Sequence, residues 1–226
     1  MNIPIHPLTI IVALCVFVLS TSTCPSPKEQ PDIEYYIYEE EQVDHLFHYV
    51  KSHQGKIYGW STNNKPLRVW WLTDKNSRRI AQVTYDMCSK YRLNPTLILN
   101  QAWKESNMKW FVKNNTKAGI RQDIQGIMQV SLKYFDKELY FVQNKRWAKE
   151  LLELPDPLPR YRQLARRIDV GIELGCRIMS NHFHNYQNYE LALIAYWQGP
   201  YSTVFSNAKK DGAYAKQLHY VKDILR

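Results

Sequence analysis

The sequence has few cysteines, no internal repeat and no long run of one charge. Four cysteines in 226 residues are too few for a disulfide-built scaffold. The absence of a GxGxxG motif and of a phosphate loop removes the common signatures of nucleotide binding. Basic residues occur only in short clusters, without the context of a DNA-binding motif, so we expect no nucleic-acid partner.

Apolar residues are plentiful, at 45% of the chain, which excludes a disordered polymer. The length suffices for one well-cored domain with an appendage. The net charge of +9 indicates an anionic partner. Charge alone leaves nucleic acid, acidic lipid and an anionic cell wall open.

The N-terminus carries a mostly apolar run, Leu8 to Leu19, that is shorter than the roughly twenty residues of a membrane span. This run and the small residues after it predict a signal peptide over residues 1–24, and therefore export to the periplasm or cell envelope. Cys24 is a candidate for lipidation, which would anchor the protein to the membrane. An uncleaved N-terminal anchor helix is the alternative.

Residues 25–75 form an N-terminal extension of unknown role, which begins with a Pro-rich tether. A helix-like pattern follows from Glu39, and the polar segment from Ser61 to Pro66 predicts a turn between two short strands. The aromatic residues around this turn either stack on sugar rings or form a small core that packs the extension onto the main domain.

Residues 76–226 are predicted to form the main domain, in which helical patterns dominate. Its two cysteines, Cys88 and Cys176, are either buried thiols or a disulfide pair. We predict no metal and no cofactor. The fold class is therefore mainly α with a small β-hairpin. The predicted helices are Arg78 to Tyr91 with Ser77 as cap, a helix beginning at the Asn94 cap, and residues 145–154, 161–183, 189–197 and 212–226.

One acid stands out at the end of an apolar helix face. Asn94 caps this helix and Pro95 fits its first turn, so Ile98, Ala102 and Glu105 follow at i, i+4 and i+7. A carboxyl on an apolar face loses hydration, which favours the protonated form needed by a general acid. A solvated glutamate at a frayed helix end is the other interpretation.

Three short motifs resemble those of the soluble lytic transglycosylases, in order and in approximate spacing over residues 77–205. They are Glu105-Ser106, the segment Gly-Ile-Met-Gln at 126–129, and the segment Ala-Tyr-Trp-Gln-Gly-Pro at 195–200. The resemblance implies a lysozyme-like fold and cleavage of the MurNAc-GlcNAc β-1,4 bond of peptidoglycan strands, which leaves 1,6-anhydromuramoyl ends. It also implies that one glutamate suffices, as acid and then as base.

The resemblance assigns catalysis to Glu105 and glycan contacts to its neighbours. Ser106 would position Glu105 or the substrate, Gln129 would bind the glycan or shape the cleft, and Tyr196 would place its hydroxyl near Glu105. Met128 either lines the cleft or packs in the core. Trp197 departs from the family, which has Asn there, and either stacks on a sugar or narrows a subsite. The interval between the first two motifs is longer than usual, which indicates an insertion.

Two further readings remain open. The chain could be a peptidoglycan-binding or envelope-assembly protein that keeps the fold with weak or no turnover; Trp197 and the insertion favour this. It could also be a goose-type lysozyme-like hydrolase, in which water ends the reaction. Lysozymes commonly use a second carboxylate, and Asp123 is the nearest candidate in the sequence.

Overall fold

The computed structural model describes residues 33–112, 123–131, 162 and 164–226. The predicted signal peptide with Cys24, most of the predicted insertion and the helix at 145–154 lie outside these residues. Within the described part, eight α-helices and two short antiparallel hairpins confirm the prediction of a mainly α fold. The elements are α1 (Ile33–Lys51), β1 (Ile57–Trp60), β2 (Pro66–Arg68), α2 (Asp74–Tyr91), α3 (Pro95–Ser106), β3 (Ile124–Gln125), β4 (Val130–Ser131), α4 (Ile168–Tyr186), α5 (Tyr189–Gln198), α6 (Thr203–Lys210), α7 (Gly212–Gln217) and α8 (His219–Leu225).

The first hairpin, β1–β2, confirms the turn predicted between two strands. Its register pairs Trp60 with Pro66 and Gly59 with Leu67, and it shifts between Gly59 and Ile57, where Ile57 pairs with Arg68. Helix α1 packs along α2. Its buried residues belong to the same hydrophobic core as the rest of the described chain; they are Val43, Leu46 and Val50.

The caps of α2 and α3 decide where those helices begin. Thr73, not the predicted Ser77, caps α2, because its hydroxyl accepts from the Asn76 amide at 3.4 Å. Ser77 lies in the first turns of the helix and is fully buried. The Asn94 cap of α3 is confirmed, since its side chain accepts from the backbone amides of residues 96 and 97 at 2.9 and 3.2 Å.

Two predicted helices are interrupted. The helix predicted from residue 161 to 183 instead turns at Arg166 and Arg167, and α4 begins at Ile168. The predicted C-terminal helix is divided into α7 and α8 at Leu218, whose backbone is extended at φ −64° and ψ 127°. An apolar periodicity continues through such breaks because both halves face the same core.

Helix α4 lies at the centre of the packing. Its Gly175 faces the Met128 side chain, where an added Cβ would lie 2.6 Å from Met128 Cγ. The Lys90 ammonium of α2 bonds the buried Glu173 carboxylate at 3.0 Å. Cys88 and Cys176 are both buried free thiols, and their mutual hydrogen bond and their burial raise the pKa of Cys176 well above its usual value.

The described residues show neither a membrane-spanning helix nor a metal-binding cluster. No helix there combines the length and apolar character needed to cross a bilayer. Likewise, no group of three or more His, Cys, Asp or Glu side chains in that part of the chain is placed to hold a metal ion.

Candidate active site

Glu105 is the last residue but one of α3, and its side chain is partly buried. Burial is the main influence on its ionisation and raises the pKa from 4.5 to about 7. A hydrogen bond from Tyr220 and the charge of Lys104 act in the opposite direction and lower it. The carboxyl is therefore close to half-protonated at neutral pH, which suits a group that both gives and takes a proton.

The Tyr220 hydroxyl, on α8, donates a hydrogen bond to Oε1 of Glu105. Tyr220 is buried, and its burial and the neighbouring Glu105 carboxylate raise the pKa of its hydroxyl well above the usual value. The phenol therefore stays neutral and remains a donor. The side-chain amide of Gln101 lies next to Tyr220 and lowers the pKa of its hydroxyl, although the geometry at the amide does not make a full hydrogen bond to any described group.

Helix α8 is held against α3 by two further polar contacts. Lys104 forms an ion pair with Asp223, and the Asn100 side-chain amide donates to the Ile224 carbonyl at 2.8 Å. The other end of the Asn100 amide accepts from the Tyr49 hydroxyl of α1. These contacts tie α1 and α3 to the helix that carries Tyr220.

Ser106 joins the end of α3 to the second hairpin. Its buried hydroxyl lies 2.7 Å from the Ile127 carbonyl and 3.2 Å from the Ala102 carbonyl, and it accepts the Lys109 amide at 3.0 Å. The side chain thus works within the protein, where it fixes the turn at 126–129 beside Glu105. Of the two roles predicted for Ser106, positioning of Glu105 or of the substrate, these contacts concern the protein's own backbone next to Glu105.

The turn at 126–129 packs tightly on the chain that precedes α4. Gly126 has φ +82°, and a Cβ added to it would lie 2.0 Å from the Ala165 carbonyl oxygen. Met128, predicted either to line the cleft or to pack in the core, is fully buried and belongs to the core cluster. Gln129 is partly exposed, and its amide donates to the Gly126 carbonyl at 2.8 Å.

The third motif places its two aromatic residues around Tyr220. The Tyr196 hydroxyl donates to the Met128 carbonyl at 2.7 Å, which links α5 to the turn at 126–129. The Trp197 ring stacks on the Tyr220 ring, with centroids 5.0 Å apart and planes within 10°. Trp197 is nevertheless 44% exposed, so it covers Tyr220 and presents surface to solvent.

Asp123, the candidate second carboxylate, is already engaged. One oxygen accepts from the Arg162 guanidinium at 2.8 Å and the other from the Gln125 amide at 2.7 Å. A carboxylate bound on both oxygens is poorly placed to act as a nucleophile or base. A surface pocket of about 400 Å³ flanks Glu105 without including it, and is lined by Trp103, Lys104, Asn107, Asp223 and Arg226.

No protein-family model, curated protein or solved structure matches the chain.

Five of the residues predicted for the site lie around the end of α3, the turn at 126–129 and the end of α5. They are Glu105, Ser106, Gln129, Tyr196 and Trp197. Tyr220 was not predicted from the sequence. An apolar-faced terminal helix gave no signal that distinguishes a tyrosine bonded to an acid from one that packs in the core. The chemical unit of this site is a carboxyl of near-neutral pKa with a phenol donor and a half-exposed indole beside it.

Proposed function

We propose that this chain is an exported peptidoglycan lytic transglycosylase in which Glu105 acts alone as general acid and then as general base. The observation that carries the proposal is the raised pKa of Glu105, about 7, in a site where Tyr220 donates to the same carboxyl. The resemblance of the three motifs supplies the substrate, the β-1,4 bond between MurNAc and GlcNAc.

In the first step the protonated Glu105 gives its proton to the glycosidic oxygen while the bond to the anomeric carbon breaks. The Tyr220 hydroxyl stabilises the carboxylate that results, because its hydrogen bond favours the ionised form. The cationic sugar centre would be supported by the N-acetyl group of the substrate.

In the second step the Glu105 carboxylate removes the proton of the sugar's own C6 hydroxyl, whose oxygen bonds to the anomeric carbon. The product is the 1,6-anhydro ring, Glu105 regains its proton, and water is not consumed. This scheme needs no second carboxylate, which agrees with the engagement of Asp123 by Arg162 and Gln125. Ser106 and Tyr196 act as positioning residues, since both bind backbone carbonyls of the turn at 126–129.

A second candidate is a peptidoglycan-binding or assembly protein with little turnover. The observation that favours it is Trp197, which stands where the resembled family has Asn and covers Tyr220. If Trp197 obstructs the sugar subsite, the wild-type protein should not cleave and Trp197→Asn should restore cleavage. If Trp197 instead shields an active acid, the wild-type protein should already cleave.

The test is digestion of purified peptidoglycan with the wild-type protein and with Glu105→Gln, with products identified by mass spectrometry. Anhydro-ended muropeptides that disappear with Glu105→Gln are the expected result. A matched control is Glu40→Gln, which removes the same charge from an exposed position on α1 and should leave the products unchanged.

Two outcomes would count against the proposal. Reducing ends in place of anhydro ends would make the protein a hydrolase of the goose lysozyme type. Absence of both products, with the protein still pelleting with peptidoglycan, would favour the binding-protein candidate.

A further inference from the structure

An exposed aromatic surface lies beside the β1–β2 hairpin. Trp70 is 67% exposed and Phe111 38% exposed, and their ring centroids are 5.9 Å apart. Both rings rest on the buried Trp71, at 5.9 and 6.2 Å. Large aromatic side chains left open to water on a supporting ring mark an interaction surface. We refer to Trp70, Trp71 and Phe111 as the aromatic platform.

The platform is joined directly to the end of the helix that carries Glu105. The Trp71 indole donates to the carbonyl of Asn107, the C-cap residue that follows α3, at 3.1 Å. Asn107 and Met108 both have positive φ, at 56° and 57°, and so turn the chain back. This turn brings the residues up to Phe111 against Trp71, so the platform is attached to the C-terminal end of the helix that carries Glu105.

One cationic side chain lies on the platform. The Lys109 ammonium lies 5.0 Å from the ring centroids of Trp71 and Phe111, and 6.0 Å from that of Tyr58. No acidic residue occurs between Asp44 and Asp74 in the sequence. An anionic ligand with flat apolar faces would complement this combination of open rings and positive charge.

We propose that the aromatic platform is a distal saccharide subsite, which holds the peptidoglycan strand by stacking sugar rings on Trp70 and Phe111 while Lys109 faces a carboxylate of the strand. This inference rests on the proposed function for the identity of the ligand. A glycan strand fits better than a membrane, because the ring that supports the platform is hydrogen-bonded to the end of the helix that carries the candidate acid Glu105. A strand bound to both the platform and the Glu105 site would be cut at a fixed distance from the sugars that stack on the platform.

The experiment measures binding by the full-length protein in the Glu105→Gln background, so that no strand is cleaved. The ligands are long peptidoglycan glycan strands and a tetrasaccharide of the same sugars. Trp70→Ala and Phe111→Ala should each weaken binding of the long strands roughly tenfold, and leave the tetrasaccharide largely unaffected. Trp70→Phe should retain most of the affinity, since it keeps an aromatic face.

Trp60→Ala is the matched control. Trp60 is 64% exposed on β1, close to Trp70 in exposure, but its ring is not among the described contacts of the platform. Its replacement should not change strand binding. Both positions are exposed, so we expect the variants to remain folded, and thermal unfolding of each variant checks this.

Three results would overturn the inference. Unchanged strand binding by Trp70→Ala would remove the platform from the glycan path, and an equal loss with Trp60→Ala would make the effect that of general surface apolarity. If Trp70→Ala lost binding to phosphatidylglycerol vesicles but kept strand binding, the surface would be a membrane contact.

These results are separable from the proposed function, because binding in the Glu105→Gln background does not depend on turnover. If the protein cleaves peptidoglycan but Trp70→Ala binds strands normally, only the subsite proposal is refuted. If Trp70→Ala loses strand binding and the protein makes no Glu105-dependent product, the platform is a binding subsite of a protein that does not cleave.

Discussion

Replacing Glu105 with Gln should make the protein's stability less sensitive to pH. In the folded protein the pKa of Glu105 is raised from 4.5 to about 7, chiefly by burial. A raised pKa means that the folded state holds the proton more tightly than the unfolded chain. The resulting stability is fully present below about pH 4.5 and is lost as the pH rises through about 7.

The size of the effect follows from the same pKa. At about 1.4 kcal/mol for each pH unit, a rise from 4.5 to about 7 corresponds to about 3 kcal/mol. Because the Glu105 side chain keeps some contact with solvent, screening makes this value an upper limit. Glu105→Gln keeps an acceptor for the Tyr220 hydroxyl but has no charge to bury.

The assay is urea unfolding of wild type, Glu105→Gln and the exposed control Glu40→Gln across a pH series. From about pH 4 to pH 8 the free energy of unfolding of wild type should fall relative to that of Glu105→Gln, by up to about 3 kcal/mol. Glu40→Gln should follow wild type closely. A difference that stays constant with pH would refute the raised pKa, and a difference of opposite sign would mean that the folded protein lowers it.

Three further predictions concern the surroundings of Glu105. Tyr220→Phe should lower kcat about tenfold and move the alkaline decline of the pH-rate profile to higher pH. The hydrogen bond from Tyr220 lowers the pKa of Glu105, so its removal should raise that pKa; an unmoved profile would contradict this. Gly126→Ala should destabilise the protein by more than Gly199→Ala in urea unfolding. Both positions have positive φ, and the backbone strain at Gly199 (φ +83°, ψ 149°) should cost about 1–3 kcal/mol, but only Gly126 adds a clash with the Ala165 carbonyl; equal losses would exclude the clash. Trp197→Asn should move the alkaline decline downward, because it uncovers Tyr220 and partly rehydrates Glu105; an upward shift would contradict the shielding role.

Local signals accounted for the parts of the fold that depend on neighbours in the chain. The Asn94 cap and the apolar spacing up to Glu105 predicted α3, and the polar segment after Ser61 predicted the first hairpin, because caps and turns are specified by a few adjacent residues. The breaks before Ile168 and at Leu218 escaped prediction. Their apolar faces continue across the break, and only the packing of the turn at 126–129 or of α8 decides the backbone direction there.

The candidate site divides in the same way. The near-neutral acid was predicted from the position of Glu105 on one helix face. Its partner was not, because Tyr220 is 115 residues further along the chain and meets Glu105 only through tertiary contacts. Met128 illustrates the opposite limit. A motif residue can be buried for packing, as Met128 is against Gly175.

The departure at Trp197 gains a physical meaning from these contacts. Burial is the largest cause of the raised pKa of Glu105, and Tyr220 opposes it by donating to the carboxyl. If the phenol were open to water, solvent would also reach the Glu105 carboxyl. Hydration and the Tyr220 hydrogen bond would then both favour the ionised carboxylate. The Trp197 ring, stacked on Tyr220 within 10° of parallel, covers the phenol that contacts Glu105. An indole in place of an asparagine is therefore compatible with an acid that remains protonated near neutral pH, since it limits hydration where the donor alone would increase ionisation.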